Sequence, residues 1–452
     1  MMKNLTIKNI VFACGGKWIG SEALLEQEIS AVTTDSRAVS KNCMFAAIPG
    51  ERVDGHDFVA SALSQGALCA IAEHPVEGVD ENIILVENTV FALQAIAAFY
   101  RSGFDIPIIG ITGSVGKTTA KEMIASVLAQ KYCVHKTAGN YNNDLGVVLT
   151  LFGLTDAHEA AVVEMGISHP GDMQRLAETV RPTMAVYTVI GHSHLEFLKS
   201  REGILAEKSV MNQYLPLDGA VICNGDDDLL AAMECGQKKI TFGRVADCAV
   251  HAEEIRALPN GSTVCSIVSG ERKFPVEISA YGDHMIYAAL EGAAVGMQLG
   301  LSDAEIAQGI AEYQPVGHRA RRLSAEKLTI IDDCYNANPT SVASAIRSLS
   351  AVVGRKVCVL GDMLELGENS AALHYEIGIL ASDCGMDLVL AQGNDAAEIA
   401  RGAGACGMYF ERKLDLLQAL EELIHAGDTV LVKASRSMRF EEIVDALLKL
   451  SL

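Results

Sequence analysis

The feature that most constrains the fold of this chain is the segment TGSVGKTT at residues 112–119. It follows the apolar run IPIIGIT and opens a segment with helical periodicity, so it predicts a strand, a Gly-rich turn and a helix in that order. Backbone N–H groups of such a turn and of the helix N-terminus form an anion-binding site. The segment therefore predicts a phosphate-binding loop in an α/β domain, in preference to a Gly-rich turn that only carries a surface lysine.

The side chains of this loop suit a nucleoside triphosphate. Lys117 can reach the β- and γ-phosphates, and Thr118 can ligate Mg²⁺. The general pattern G-x-x-x-x-G-K-[ST] has Gly at the position that Ile111 occupies here. Glu164 ends the apolar strand AAVVEM, where a carboxylate either holds Mg²⁺ beside the phosphates or serves only as a turn residue.

Alternating strand and helix patterns divide the 452 residues into three α/β units, as expected at roughly 150 residues per domain. We predict a small α/β N-terminal domain at 1–85, a central P-loop domain with a parallel sheet at 86–316, and a Rossmann-like C-terminal domain at 317–452. The central domain is expected to start with a connecting helix at 88–101. Gly-rich and polar residues at 241–283 predict hairpins attached to its sheet.

Composition excludes several classes of function. The chain has 36 Lys and Arg against 57 Asp and Glu, a net charge of −21, and no long basic run. Nucleic acid and anionic membranes are therefore poor partners. No stretch approaches the ~20 apolar residues of a membrane span. The 12 cysteines are scattered without a C-x-x-C pair, which favours reduced thiols in a cytosolic protein over a zinc site or a disulfide framework.

Three further segments carry candidate site residues in the central domain. His194 follows the strand MAVYTVI, and a solvated loop histidine is the alternative interpretation. Lys208 lies on the helix GILAEKSVM, where it is either a surface lysine or a buried amine of lowered pKa that can react with CO₂ to give a carbamate. The loop TAGNYNNDLG at 137–146 suits either a tight turn or polar ligand contacts.

In the third domain, DDCYNANP at 332–339 ends a strand and opens a helix. Polar residues at the carboxyl edge of an open α/β sheet lie where such sheets bind ligands, although caps and turns use the same residue types. The segment GHRARR at 317–322 is the densest basic patch of this acidic chain and contains Arg319. It supplies positive charge at the junction of the second and third domains.

Taken together, these segments resemble the Mur ligases over nearly the full chain. The matching motifs are TDSR (34–37), GERVDGHD (50–57), TGSVGKTTAKEM, TAGNYNNDLG, VVEMGISHPGD, HSHLE, AEKSVM, HR (318–319), DDCYNANPTS, VLGDMLELGE (359–368) and LVKASRSM (431–438). The P-loop of this family reads T-G-S/T-x-G-K-T, so Ile111 is ordinary for it. YNANP and LGDMLELGE resemble the branch of the family that adds a dipeptide.

The resemblance implies an ATP-dependent amide ligase of peptidoglycan precursor synthesis. Its small-molecule substrates would be UDP-MurNAc-tripeptide and D-Ala-D-Ala, and its product UDP-MurNAc-pentapeptide. The terminal carboxylate of the tripeptide would accept the γ-phosphoryl group of ATP, and the dipeptide amine would attack the acyl phosphate. The first domain would bind the uridine end, the second ATP, and the third the dipeptide. We expect a monomer.

The resemblance also implies residue roles. Catalytic roles fall to Lys117, Glu164, His194, Lys208 and Arg319. ATP would be bound by Gly113, Ser114, Val115, Gly116, Lys117, Thr118, Thr119, Asp333 and Asn336, and the UDP substrate by Ser36, Arg37, Asn140 and Asn143. Thr118 and Glu164 would bind one Mg²⁺, and His194 with Lys208, as a carbamate, would bind a second.

One segment departs from the family pattern and leaves the adenine contact open. The family has G-x-H-N-x-x-N-A, in which the second Asn contacts adenine, whereas residues 282–289 read GDHMIYAA, with Met285 and Ala288 in place of both amides. Two alternatives therefore remain beside the dipeptide-adding ligase. One is another Mur-type or folylpolyglutamate-type ligase, which TDSR and GERVDGHDF disfavour. The other is a nucleotide-binding regulatory protein that has lost catalysis, which the retained Lys117 and Lys208 disfavour.

Overall fold

The computed structural model describes residues 2–50, 53–258, 262–280, 282–325 and 327–450. Glu51 and Arg52 of the GERVDGHD segment lie outside the described residues. The described chain forms three α/β units, each with its own sheet, which confirms the predicted fold class. Within those residues, no helix combines the length and apolar character needed to cross a membrane.

The first unit contains strands β1 Lys17–Ile19, β2 Val32–Thr33, β3 Met44–Ala46, β4 Cys69–Ala72 and β5 Ile83–Leu85, with helices α1 Ile7–Cys14 and α2 Val59–Ser64. The sheet order is β1-β5-β4-β3-β2, and only β1 runs antiparallel to its neighbour. Helix α3, Thr89–Ser102, begins after Asn88, whose side chain accepts a hydrogen bond from the Phe91 N–H. It packs against α1 and precedes the first strand of the second unit.

The second unit has a nine-stranded sheet. Its strands are β6 Ile108–Thr112, β7 Val134–Lys136, β8 Ala160–Glu164, β9 Met184–Tyr187, β10 Ala220–Asn224, β11 Lys238–Gly243, β12 Val250–Ala257, β13 Thr263–Ser269 and β14 Arg272–Ile278. Its helices are α4 Lys117–Leu128, α5 Asp144–Phe152, α6 Asp172–Val180, α7 Leu195–Leu198, α8 Arg201–Ser209, α9 Asp228–Ala232, α10 His284–Gln298 and α11 Asp303–Glu312.

The order of this sheet places the phosphate-binding loop at its middle. The strands run β14-β13-β12-β11-β10-β9-β6-β8-β7, parallel from β7 to β12 and antiparallel from β12 to β14. The antiparallel part contains the hairpins predicted at 241–283. Because β6 lies between β8 and β9, the residues that follow these three strands meet at one carboxyl edge.

Helix α4 is held tightly on the outside of this sheet. It packs against α10 and α11 within an apolar core that includes Met123 and Val127. A Cβ atom at Gly309 of α11 would overlap the backbone of Val127, so the two helices approach at the distance that only glycine permits. The helix that follows the phosphate-binding loop is thus fixed by packing on two sides.

The third unit contains strands β15 Arg321–Ala325, β16 Leu328–Asp332, β17 Lys356–Gly361, β18 Leu388–Gln392, β19 Gly407–Phe410 and β20 Thr429–Lys433, and helices α12 Pro339–Ser350, α13 Ser370–Asp383, α14 Ala396–Ala403, α15 Lys413–Leu423 and α16 Glu441–Leu447. The sheet order is β15-β16-β20-β17-β18-β19, and only β15 is antiparallel. The joint to the second unit contains Gly317, whose φ is 62° and around whose Cβ position no atom lies within 4 Å.

Candidate active site

A cavity of about 610 Å³ lies between the second and third units. The second unit contributes the phosphate-binding loop, the loops after β9 and β10, and one face of α10. The third unit contributes Arg319 and the segment from Asp333 to Ala345, together with Lys433. Two units therefore form one site, at the carboxyl edges of both sheets.

The loop between β6 and α4 has the backbone that a phosphate cradle requires. Gly113 and Gly116 have φ angles of 153° and 86°, in the region that favours glycine. A Cβ atom at Gly113 would overlap the hydroxyl of Thr188. Helix α4 has no side-chain N-cap, so the N–H groups of its first turn remain available to an anion from the cavity.

Thr118 and Glu164 form the oxygen cluster expected for a Mg²⁺ site. The Thr118 hydroxyl donates to Glu164 Oε2 at 2.8 Å, and Asn142 Nδ2 donates to Glu164 Oε1 at 2.7 Å. Both Thr118 and Glu164 are buried, while all three residues line the cavity. Hydroxyl and carboxylate oxygens beside a phosphate cradle fit the hard ligands that Mg²⁺ prefers.

Lys117 points along the phosphate-binding loop, and its ammonium group donates to the Gly113 carbonyl at 2.8 Å. Burial lowers the pKa of Lys117, and the Glu164 carboxylate opposes that shift, while Arg319 of the third unit adds to it. Lys117 of the second unit and Arg319 of the third unit both line the cavity, so two cations face the same space from different units. Such a pair can neutralise a polyphosphate.

Lys208 is a buried amine behind the loop. Its side chain is 1% exposed, and its Nζ lies 3.5 Å from Thr112 Oγ1. Burial lowers the pKa of Lys208 well below the usual lysine range, and the nearby Lys117 lowers it further. A neutral amine is the form that CO₂ requires, so the surroundings fit the predicted carbamate. Lys208 does not belong to the described lining of the cavity.

His194 lies at the start of α7. Its Nδ1 is 2.6 Å from Glu365 Oε2 of the third unit, and the histidine holds the pKa of Glu365 below its usual range. A carboxylate on one ring nitrogen fixes the orientation of the imidazole and leaves the other nitrogen for a ligand. The described lining of the cavity includes His192 but not His194, so a metal shared by His194 and Lys208 stays a prediction.

The third unit brings the other predicted residues to the cavity. The Arg319 guanidinium lies over the Tyr335 ring, 3.9 Å from its centroid. Lys433 Nζ is 2.6 Å from Asp333 Oδ2 and donates to the Asn336 carbonyl at 3.0 Å. Lys433 was not among the predicted site residues, although it lies in the motif LVKASRSM. Its burial and its pairing with Asp333 hold the loop after β16 in place.

The residues expected to bind the UDP substrate are more dispersed. Arg37 is exposed and pairs with Asp35, lowering the pKa of that carboxyl to about 2, and Ser36 opens the same short turn. Asn143 caps α5 by accepting from the Gly146 N–H at 2.9 Å, and Asn140 is exposed. Neither of these asparagines lines the described cavity; Asn142 between them does. Their roles toward the UDP substrate stay predictions.

One face of α10 forms the wall beside the phosphate-binding loop. Positions 284, 287, 288 and 291 recur at helical spacing, and all four line the cavity. The Tyr287 hydroxyl donates to Asp226 Oδ2 at 2.9 Å, which fixes the ring. Burial lowers the pKa of His284 and raises that of Glu291. Sequence analysis did not select Tyr287, Glu291 or Asp226.

The comparisons with known proteins identify the family. The profile described as Mur ligase middle domain matches residues 111–296, the Mur ligase glutamate ligase domain matches 318–436, and the Mur ligase family catalytic domain matches 28–101. A UDP-N-acetylmuramoyl-tripeptide--D-alanyl-D-alanine ligase of Bacillus subtilis is 37% identical, over 98% of each chain. This chain belongs to the Mur ligase family. The enzyme of the same name from Escherichia coli is 34% identical to this Mur ligase, over 99% of each chain.

Solved structures resemble this Mur ligase over the same extent. The crystal structure of MurF from Acinetobacter baumannii superposes with a TM-score of 0.91 at 30% identity, and 98% of each chain is covered. The MurF ligase from Thermotoga maritima in complex with ADP has a TM-score of 0.85 at 29% identity, covering 93% of this Mur ligase and 97% of that chain. Both match across all three units.

Proposed function

We propose that this Mur ligase joins D-Ala-D-Ala to UDP-MurNAc-tripeptide with ATP, giving UDP-MurNAc-pentapeptide. One observation carries the proposal: the phosphate-binding loop of the second unit and Arg319 of the third unit line the same cavity. A ligase that activates a carboxylate by phosphorylation needs positive groups on both sides of the transferred phosphoryl group. The names of the full-length relatives support the choice of substrates.

In this reaction the protein contributes mainly by positioning the substrates and by neutralising the charge of the phosphates. Gly113 to Thr119 hold the β- and γ-phosphates, and Lys117 neutralises them. The terminal carboxylate of the tripeptide attacks the γ-phosphorus, ADP leaves, and an acyl phosphate forms. The amine of D-Ala-D-Ala then attacks the acyl carbon and phosphate leaves. Arg319 stabilises the charge of the transferred group from the opposite wall.

Thr118 and Glu164 are the residues that would hold Mg²⁺, which supplies charge neutralisation at the phosphates. Their hydrogen bond and burial support this assignment. We also propose that Lys208 acts as a carbamate and that His194 contributes its free ring nitrogen to a second ion. We also propose that the protein is a cytosolic monomer; its scattered, unpaired cysteines support a reducing compartment.

The test is a reconstitution with purified protein, Mg-ATP, D-Ala-D-Ala and the tripeptide substrate, in its lysine and its diaminopimelate forms. We expect phosphate release that requires both acceptor and dipeptide, with the pentapeptide product identified by mass spectrometry. Lys117→Ala should lose at least about 10²-fold in kcat, whereas the exposed Lys238→Ala should keep wild-type turnover.

Two outcomes contradict the proposal. Ligation of glutamate to a folate acceptor, without reaction of either tripeptide, favours the folylpolyglutamate-type alternative. Tight binding of Mg-ATP by calorimetry without turnover of any acceptor favours a regulatory protein.

A further inference from the structure

Arg319 extends to the cavity from a segment with an irregular backbone. It lies between Gly317 and Ala320, whose φ angles of 62° and 49° are in the left-handed region. Ala320 has a Cβ atom, so this backbone is strained there and persists only where neighbouring groups hold it. The segment that carries Arg319 therefore has a definite shape that other residues maintain.

Two hydrogen bonds hold this segment against the loop after β16. The Ala320 N–H donates to Asp333 Oδ1 at 3.1 Å. The Tyr335 N–H donates to the His318 carbonyl at 3.1 Å. Because the backbones of His318 and Tyr335 are joined in this way, the Tyr335 ring lies beside the next side chain of the segment, which is that of Arg319.

The Tyr335 ring is the partner that the structure gives to the Arg319 guanidinium. Arg319 Cζ lies 3.9 Å from the ring centroid, well within the roughly 6 Å range of a cation–π interaction. In the described part of the chain, no ion pair joins this guanidinium to a carboxylate. By contrast, Arg321 pairs with the buried Asp332 at 3.2 Å. Arg319 is thus placed by an aromatic ring and not by an acid.

An aromatic ring suits a cation that acts on a phosphoryl group. A carboxylate partner would neutralise the guanidinium and would compete with phosphate oxygens for its N–H groups. A ring attracts the cation through its quadrupole and has no net charge, so the positive charge of Arg319 stays available. Both Arg319 and Tyr335 line the cavity that contains the phosphate-binding loop. The pair therefore presents a positioned cation, not neutralised by an acid, to that cavity.

The ring, and not the hydroxyl, is the part of Tyr335 that makes this contact. Among the described residues, no hydrogen bond involves the Tyr335 hydroxyl. A second cation, the Arg436 guanidinium, lies 6.0 Å from the ring centroid, and it pairs with Glu441 at 3.0 Å. Arg319 is therefore the closer of these two cations and the one whose placement depends on the ring.

We propose that Tyr335 is a positioning residue of the ligase reaction, whose ring holds the Arg319 guanidinium at the cavity wall for the phosphoryl group that passes to the substrate carboxylate. The proposal rests on the proposed function, from which it takes the role of Arg319. Without the ring, Arg319 keeps its charge but samples many rotamers, most of which do not face the transferred group. The barrier to phosphoryl transfer then rises, while the phosphate-binding loop still binds Mg-ATP.

The test measures kcat of the reconstituted reaction and Mg-ATP affinity by calorimetry, both on the full chain. Tyr335→Leu should lose about tenfold in kcat and keep Mg-ATP affinity within about twofold, as expected for one cation–π contact made to the transferred group's cation. Tyr335→Phe, which keeps the ring, should retain kcat within about twofold. Tyr375→Leu is the matched control. Its ring lies 4.8 Å from the Arg401 guanidinium, neither residue lines the described cavity, and the variant should behave as wild type.

A double-mutant cycle separates positioning from a structural role. In an Arg319→Ala background, Tyr335→Leu should cause no further loss of kcat, because the ring acts only through the guanidinium. An equal loss in both backgrounds overturns the inference. It is also overturned by wild-type kcat in Tyr335→Leu, or by a Tyr335→Phe variant as impaired as Tyr335→Leu. Should Tyr335→Leu fail to fold, Tyr335→Met takes its place in the same cycle. A wild-type protein without ligase turnover overturns both this inference and the proposed function.

Discussion

Two buried lysines beside the phosphate-binding loop differ in their partners. Lys121 is 0% exposed, donates to the carbonyls of Thr137 and Gly139 at 2.8 Å each, and pairs with Glu122 at 3.0 Å. In the described part of the chain, the Lys208 ammonium has one hydrogen-bond partner, the hydroxyl of Thr112 at 3.5 Å. The charged form of Lys121 has several hydrogen-bond acceptors, whereas burial destabilises the charged form of Lys208. Lys121 therefore anchors the loop after β7, whereas the buried Lys208 amine has no comparable set of partners among the described residues.

We predict that Lys208→Ala and Lys208→Arg both lose at least about 10²-fold in kcat while Mg-ATP affinity changes little. Alanine removes the carbamate, and arginine cannot form one. Steady-state phosphate release and calorimetry measure the two quantities. Added acetate should restore part of the activity of Lys208→Ala. Wild-type kcat in Lys208→Arg would contradict the carbamate, since that variant retains a positive charge at the site.

At this scale the sequence predicted residue types better than particular residues. The loop at 137–146 was identified as rich in amides, yet the asparagine that reaches Glu164 is Asn142, and the selected Asn143 caps a helix. Adjacent asparagines differ only in the direction that the backbone gives them, and one sequence does not contain that direction. Glu291 was missed for a related reason, because its burial depends on helices that meet from distant parts of the chain.

Among the helices and strands, α4 fixes the position of the phosphate-binding loop at its N-terminus. The position of α4 depends in turn on a close contact at Gly309. Gly309 of α11 lets the two helices meet backbone to backbone at Val127. The Ser126 hydroxyl donates to the Gly309 carbonyl at 2.6 Å across the same contact. Any side chain at Gly309 would move α11 or α4, and a shift of α4 moves the loop at its N-terminus.

We predict that Gly309→Ala destabilises the second unit by about 2 kcal/mol through overpacking. A change of that size lowers the unfolding midpoint of a unit of this length by roughly 4 to 8 °C. Differential scanning calorimetry measures the shift. Gly236→Ala is the matched control, because no atom lies within 4 Å of its Cβ position and its midpoint should not change. Equal midpoints for the two variants would contradict the tight contact.

Sequence periodicity predicted the connecting helix α3, the helix α4 after the phosphate-binding loop and the helix α12 that DDCYNANP opens. It passed over β19 and α15. The first is a short edge strand, Gly407–Phe410, after a Gly- and Ala-rich segment, and its side chains are mostly exposed. Edge strands have only one neighbour to bury them, so their apolar pattern is weak.

For the whole molecule, contacts between the second and third units define the cavity. The His192 N–H donates to Thr340 Oγ1 at 3.3 Å, Asn338 Nδ2 reaches the Ser114 carbonyl at 3.5 Å, and His194 contacts Glu365 at 2.6 Å. All three of these contacts join polar groups. The charge of −21 for the whole chain does not describe the surroundings of the phosphate-binding loop, where Lys117 and Arg319 supply two positive charges.

We predict that Glu365→Gln lowers kcat by about tenfold, as for other residues that orient a ligand side chain, without changing Mg-ATP affinity. Glu368→Gln, an exposed neighbour, is the control and should behave as wild type. His194 lowers the pKa of Glu365, so the Glu365 carboxylate stays ionised as pH falls through the usual glutamate range and is protonated only below it. Steady-state kinetics and small-angle scattering against pH check this. An unchanged kcat for Glu365→Gln would contradict the role of this contact.

The joint at Gly317 couples ligand binding in the cavity to the angle between the second and third units. Its backbone is left-handed, and no atom lies within 4 Å of its Cβ position. A ligand that touches both walls binds one joint angle more tightly than the others. The difference in its binding free energy between two joint angles is the free energy by which it shifts the joint toward the favoured angle. A ligand that touches only the phosphate-binding loop has no such preference and does not shift the joint angle.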